Sequence, residues 1–269
     1  MSIKYLDYIA KGLIVGGSML TPGVSGGTMA IALGVYDDLI AAVSSAIDRK
    51  FKNLLFLLLF AFGGSIGMLV FARPILYLKE TFEFPMMYFF IGAVAGGIPL
   101  IFRKAKQEKF TLDSILYPAL GVFLLYLVSL IPENLFTADP NGGVLSYLLL
   151  IAAGLTVAVA LILPGISVSH MLLLLGIYNI TMGAIKGIQF GYLIPLALGV
   201  VLGVVLTTKI LEKAMNNHPR PTYLIIFGFV IASVAEVFPG IPTGMEILIC
   251  PILFLMGFLI IKKLSTLEY

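Results

Sequence analysis

Two short segments of this chain set proline, glycine and hydroxyl residues inside otherwise apolar sequence: Thr21-Pro22-Gly23-Val24-Ser25-Gly26-Gly27-Thr28 and Pro164-Gly165-Ile166-Ser167-Val168-Ser169-His170. The chemistry they suggest is anion binding. Proline ends an incoming helix, and Gly23, Gly26 and Gly27 allow left-handed or closely approached backbone. Thr28 then opens the next helix with free N–H groups and a positive dipole end. In lipid such donors need partners, and a phosphate or carboxylate satisfies several at once. The plainer alternative is that the glycines only let helices pack and that Ser25 and Thr28 cap the helix themselves. Two copies entering from opposite faces favour the anion site. It would draw on Pro22, Gly23, Ser25, Gly26, Gly27 and Thr28 from one copy, and on Pro164, Gly165, Ser167, Ser169 and His170 from the other.

Charged residues in apolar surroundings add to this. Arg73 stands between Phe71-Ala72 and Pro74-Ile75, where a cation is costly unless it is paired or snorkels to the interface. Its guanidinium suits phosphate oxygens. Lys209 stands at an equivalent point later in the chain, although Glu212 and Lys213 mark that stretch as an interface. Asp37 and Asp38 follow Tyr36 in an apolar run, and a carboxylate charged in mid-bilayer costs about 3 kcal/mol. With His170 they are candidates for proton or cation coupling. The alternatives are a polar helix face near the interface for the two acids and a helix-start hydrogen bond for His170.

Catalysis is disfavoured. One cysteine, Cys250 in an apolar segment, and two histidines, His170 and His218, exclude a disulfide framework and a thiolate metal cluster and argue against a metal enzyme; no cofactor is expected. A phosphatase that forms a phosphohistidine needs two histidines converging within a basic clamp. Ser169-His170 has no basic neighbour, and His218 falls in the opposite loop.

The elements that position these residues follow from composition. The 269 residues are 60% hydrophobic and 12% charged, with a mean hydropathy of +1.08, whereas ordinary globular domains carry roughly 25% charged residues. Lipid must be the solvent for much of this surface, so the chain reads as an all-α polytopic membrane protein. Its net charge of +3 is spread over short loops and offers no nucleic-acid surface. The start of the chain has no small-residue cleavage site and is expected to be retained. Apolar blocks fall at 6–20, 28–47, 54–78, 85–102, 115–131, 144–163, 170–185, 192–208, 223–238 and 247–261. The first two and the sixth and seventh are divided only by the Pro-Gly motifs, a pointer to discontinuous helices or re-entrant hairpins.

The motifs also expose an internal repeat. At an offset of 142, Pro22, Gly23, Ser25, Met29, Leu33, Gly34 and Tyr36 fall on Pro164, Gly165, Ser167, Met171, Leu175, Gly176 and Tyr178. An offset of 136 then aligns Gly63 with Gly199, Gly67 with Gly203, Arg73 with Lys209, Pro85 with Pro221 and Gly92 with Gly228. Cytoplasmic loops collect Lys and Arg. If each Pro-Gly pair leaves the membrane on the side it entered, all of the 17 Lys and Arg except Arg73, Lys79 and Lys186 fall on that side. Three further crossings per half then invert the second half relative to the first, and both termini are cytoplasmic. Expected are a repeat at 1–138, with hairpin 6–47 and helices 54–78, 85–102 and 115–131, and one at 139–269, with hairpin 144–185 and helices 192–208, 223–238 and 247–261. The shortness of 6–20 and 170–185 favours hairpins over two full crossings joined by a tight turn.

TPGVSGGTMAIALGVYDDLI and LPGISVSHMLLLLGIYNIT resemble the paired signatures of the bacterial polyprenyl-phosphate transporter family, from about residue 10 to about residue 260. The second departs from the pattern at Val168 and His170. The resemblance implies translocation of undecaprenyl phosphate from the outer to the inner leaflet of the bacterial cytoplasmic membrane, for reuse in wall synthesis. Its partners would be that polyprenyl-phosphate lipid and the surrounding membrane lipids, with homo-oligomerisation left open. The phosphate head would bind near Arg73, move to the two motifs and leave past Lys209. Rival readings are a secondary transporter or channel for a small inorganic anion or Na⁺, and a membrane scaffold.

Overall fold

The computed structural model describes residues 3–21, 24–47, 53–106, 111–130 and 143–266, and among them all regular structure is helical. Pro22 and Gly23 lie outside the described residues. The first half of the chain forms α1 (Ile3–Ser18), α2 (Gly26–Ala32), α3 (Tyr36–Ile47), α4 (Leu54–Thr81), α5 (Glu83–Lys104) and α6 (Asp113–Ser129). The second forms α7 (Gly143–Ile162), α8 (Val168–Leu174), α9 (Tyr178–Lys186), α10 (Phe190–Asn217), α11 (Pro219–Val237) and α12 (Glu246–Thr266).

Six described helices, α4, α5, α7, α10, α11 and α12, are long and apolar enough to cross a membrane; eight spans result if each bent helix pair counts as one. Helix α6, expected to cross, has 17 residues, or about 25 Å at 1.5 Å per residue.

The apolar runs 28–47 and 170–185 each read as one helix, yet each is broken. Helices α2 and α3 meet at 116°, and α8 and α9 at 115°. Gly34 and Gly176, at φ 79° and 72°, make the breaks. The Gly34 and Val35 N–H groups donate to the carbonyls of Ile31 and Ala30, and those of Gly176 and Ile177 donate to Leu173 and Leu172. This left-handed stop satisfies carbonyls that a helix end would orphan. Its signal in the sequence is the recurrence of Leu-Gly-Val-Tyr as Leu-Gly-Ile-Tyr.

In lipid there is no hydrophobic drive between helices, so association rests on close packing at small residues. Four helix pairs are built this way. A Cβ placed on Gly63 would stand 2.2 Å from the Ile9 carbonyl oxygen, joining α1 to α4; one on Gly199 would stand 2.1 Å from that of Ile151, joining α7 to α10. A Cβ on Gly92 would stand 2.0 Å from the Phe254 carbonyl oxygen, between α5 and α12, and one on Gly228 2.2 Å from that of Pro118, between α11 and α6.

The register of these contacts sets helix direction. Gly63 lies on Ile9 and Gly67 on Leu13, so α1 and α4 run parallel. Gly199 on Ile151 and Gly203 on Leu155 make α7 and α10 parallel; Gly92 on Phe254 and Gly96 on Phe258 do the same for α5 and α12. Parallel packing of α1 with α4 requires α2 and α3 to bring the chain back to the end at which α1 began. The outer faces expose Leu69, Val144, Ile210 and Leu248, as a lipid-solvated bundle must. Short α2 is instead buried, with Thr28, Met29, Ala30 and Ala32 each 2% exposed.

Candidate functional site

The breaks that create the Pro-Gly motifs also orphan backbone groups, and the two motifs satisfy each other. With α7 ended at Ile162, its terminal carbonyl accepts a hydrogen bond from the Tyr36 hydroxyl at 2.8 Å. The N–H of Gly165 donates to Thr28 Oγ1 at 3.0 Å, in a buried contact. Between these bonds Gly27 packs against Pro164, where a Cβ on Gly27 would stand 3.2 Å from Pro164 Cα. An unpaired buried backbone group costs about 1–3 kcal/mol, so this reciprocal pairing holds the tips together. Gly27, Thr28, Tyr36, Ile162, Pro164 and Gly165, drawn from both copies of the repeat, form one junction.

Details differ from the expected open nest. Helix α2 starts at Gly26 rather than Thr28, and Ser25 Oγ accepts from Thr28 N–H at 3.3 Å. Gly26 and Gly27 are therefore helical, and of the described motif glycines only Gly165 takes a positive φ, 86°. Ser167 precedes α8 without a side-chain capping bond; Ser169 is exposed and His170 half-buried.

Both expected cations lie level with the tips but on the outer surface. Gly17 packs against the Phe71 ring, which sets Arg73 level with the end of α1 at Ser18, while α4 continues to Thr81, about 12 Å further. Gly203 lies against Leu155 and Ala158, so Lys209 is level with the end of α7. Both side chains are exposed.

Asp37 and Asp38 do not sit in the middle of a helix. The break at Gly34 makes them the first turn of α3, where the helix dipole favours acids. Both line a cavity of about 1160 Å³ at the end of the bundle where α1 begins, α5 ends and α10 turns into α11. Lys11, Lys104, Lys106 and Tyr223 share that lining, as do Leu33, Gly34 and Val35 of the α2–α3 bend. Asp37 Oδ2 accepts from Lys104 Nζ at 2.7 Å and from the Tyr223 hydroxyl at 2.6 Å. Lys11 pairs with Asp7 at 2.9 Å, one turn away on its own helix. This cavity is invisible to spacing rules, because its cations come from loops expected only to mark topology. Among the described residues no group of His, Cys, Asp and Glu could hold a metal ion.

A short α2 thus carries both features. Its first turn holds Thr28 at the tip junction, and the residues after its end line the cavity.

The profile of the undecaprenyl phosphate translocase-like family matches residues 15–247. A polyprenyl-phosphate transporter of Staphylococcus aureus is 32% identical, over 94% of this chain and 93% of its own length. A polyprenyl-phosphate transporter of Vibrio cholerae is 27% identical, over 88% of this chain and 79% of its own. No solved structure matches the chain.

Proposed function

The chain belongs to the undecaprenyl phosphate translocase-like family, and from that premise we propose that it carries a polyprenyl phosphate across the bilayer. Its substrate is undecaprenyl phosphate, moved from the outer to the inner leaflet of the bacterial cytoplasmic membrane and so returned to the synthesis of wall polymers. No step of this is enzymatic. The observation that carries the reading is the link through α2 between a lysine-bearing cavity and the junction of two Pro-Gly motifs. A polyprenyl phosphate has one anionic head and a long apolar tail; the head needs a protected polar path while the tail stays in lipid.

The architecture that suits this task is a pair of inverted repeats. In our reading α1–α3 and α7–α9 are re-entrant hairpins, and α4, α5, α6, α10, α11 and α12 are the six crossings. Parallel packing of α1 on α4 and of α7 on α10 supports it, as does the gathering of lysines at one end of the bundle. The lysine-bearing end is then cytoplasmic, and alternating access is a rocking of one half against the other. Cys250 is the sole thiol and is buried, so single cysteines report topology cleanly. Cysteine at Met245 is expected to react with an impermeant reagent from outside, and cysteine at Lys106 or Asn216 only from inside. Labelling of position 106 from outside would overturn the orientation and the inversion with it.

The direct test is movement of labelled undecaprenyl phosphate by the purified chain in proteoliposomes, with and without a pH gradient. Transport dependent on that gradient would bring Asp37, Asp38 and His170 into play as proton carriers. Movement of inorganic phosphate without movement of the lipid would replace this reading by the small-anion one. Arg73, at tip level on the outward part of α4, is proposed to collect the head group, and Lys209 to pass it on. Arg73→Ala is expected to lower apparent affinity about tenfold, the value of a charge-assisted contact to phosphate. The exposed Lys186, at the end of α9, serves as control; equal transport by Arg73→Ala and Lys186→Ala would remove Arg73 from the path.

A further inference from the structure

The cavity contains an ion pair between Lys104 and Asp37. Lys104 is largely buried, its side chain only 17% exposed, and a buried ammonium needs an anionic partner. Asp37 supplies it across three elements, joining α3 to α5 and, through Tyr223, to α11. Yet Asp37 does so with one oxygen. Oδ2 takes both hydrogen bonds, while Oδ1 is buried with no hydrogen-bond partner among the described residues. The unpaired buried oxygen is a cost that an anion bonded through all its oxygens at this place would not carry.

A phosphate monoester is such an anion. Near neutral pH it carries a charge of about −1.5 to −2 and three strong acceptor oxygens. Lys104 and the Tyr223 hydroxyl present two donors converging on the single point now occupied by Asp37 Oδ2. Lys11, also in the lining, pairs with Asp7 on its own helix.

Resting on the proposed function, we propose that Lys104 and Tyr223 form a phosphate-monoester subsite at the cavity end of the path, and that Asp37 is its built-in competitor. The arriving head group displaces Asp37 from Lys104 and Tyr223. As the head departs, Asp37 retakes both donors, so that release does not leave a buried ammonium unpaired. Asp37 is thus a positioning residue that sets how readily the phosphate leaves.

Competition gives a sign that a merely structural tie would not. The test uses the full chain in detergent, titrated with farnesyl phosphate, a short prenyl monophosphate, and in parallel with inorganic phosphate. Asp37→Asn is expected to bind farnesyl phosphate about tenfold more tightly, and Lys104→Met about tenfold more weakly, as for a charged hydrogen bond gained or lost. The double variant is expected to match Lys104→Met, since a competitor has no effect once its cation is gone. Tyr223→Phe, which removes only a hydroxyl, is expected to bind a few-fold more weakly and tests the subsite even if the Asp37 variant does not fold. Unchanged or weaker binding by a folded Asp37→Asn protein, or unchanged affinity in Tyr223→Phe, would overturn the inference. If wild type then still moves undecaprenyl phosphate in proteoliposomes, the function stands without the subsite. Wild type that neither binds farnesyl phosphate nor moves the lipid removes both. Inorganic phosphate that binds as tightly, with the same pattern across variants, keeps the subsite and overturns the lipid assignment.

Discussion

Gly27→Val is expected to lose undecaprenyl phosphate transport by at least about tenfold for each molecule present in the membrane. Backbone conformation is not the reason, because Gly27 lies within α2. The reason is close approach: a bare Cβ there would already stand 3.2 Å and 3.3 Å from Pro164 Cα and N, and the methyls of valine must push the tips apart. Separation breaks the Tyr36 bond to Ile162 and the Thr28 bond to Gly165. Each buried group left unpaired costs about 1–3 kcal/mol, and about 1.4 kcal/mol is a factor of ten. Thr28→Ser keeps the acceptor for Gly165 and is expected to retain much of the activity, while Thr28→Val, of similar shape, is expected to fall towards Gly27→Val. Transport at the wild-type rate by a normally abundant Gly27→Val protein would reduce the tip glycines to helix packing and leave the lipid assignment resting on the family alone.

The largest effect on assembly is expected at Gly92. Valine there would carry a Cβ 2.0 Å from the Phe254 carbonyl oxygen, an overlap that only separation of α5 from α12 can relieve. Overpacking costs typically about 1–3 kcal/mol in a soluble core. Here it falls on rigid backbone rather than on a side chain that can turn aside, and within a total stability of about 5–15 kcal/mol. Gly92→Val is therefore expected to be depleted from the membrane several-fold and to unfold at markedly lower temperature. Gly183, on α9, has nothing within 4 Å of an added Cβ, and Gly183→Ala is expected to match wild type in both measurements. A Gly92→Val protein with wild-type abundance and melting temperature would show that the seam is not close-packed.

Much of this was legible in the sequence, and the misses have definite causes. The glycines at 63, 67, 92, 199, 203 and 228 stand out by their register, but what each one touches lies a distant stretch of chain away and leaves no periodic trace. The break at Gly34 is masked because Leu33, Val35 and Tyr36 keep the run apolar; only its recurrence at Gly176 marks it. That miss carried Asp37 from the start of α3, where it meets Lys104 and Tyr223, to the middle of an unbroken helix. Ser25 caps α2, as the plainer alternative to an anion site has it. The bonds from Tyr36 to Ile162 and from Thr28 to Gly165 depend on two breaks coming together in space, which no local pattern encodes.

The glycine seams bear on biosynthesis. Two of the four join helices within one half of the chain, α1 to α4 and α7 to α10, and the other two cross between halves, α5 to α12 and α6 to α11. Translation delivers α5 and α6 into the bilayer long before α11 and α12 exist, so their small-residue faces first meet lipid alone. Helix α12, the partner of α5, is made after the other eleven described helices. Commitment to the native bundle must therefore wait for α12 to insert, and a ribosome that stalls after α10 leaves a nascent chain with two glycine-lined faces open to whatever membrane helix passes by.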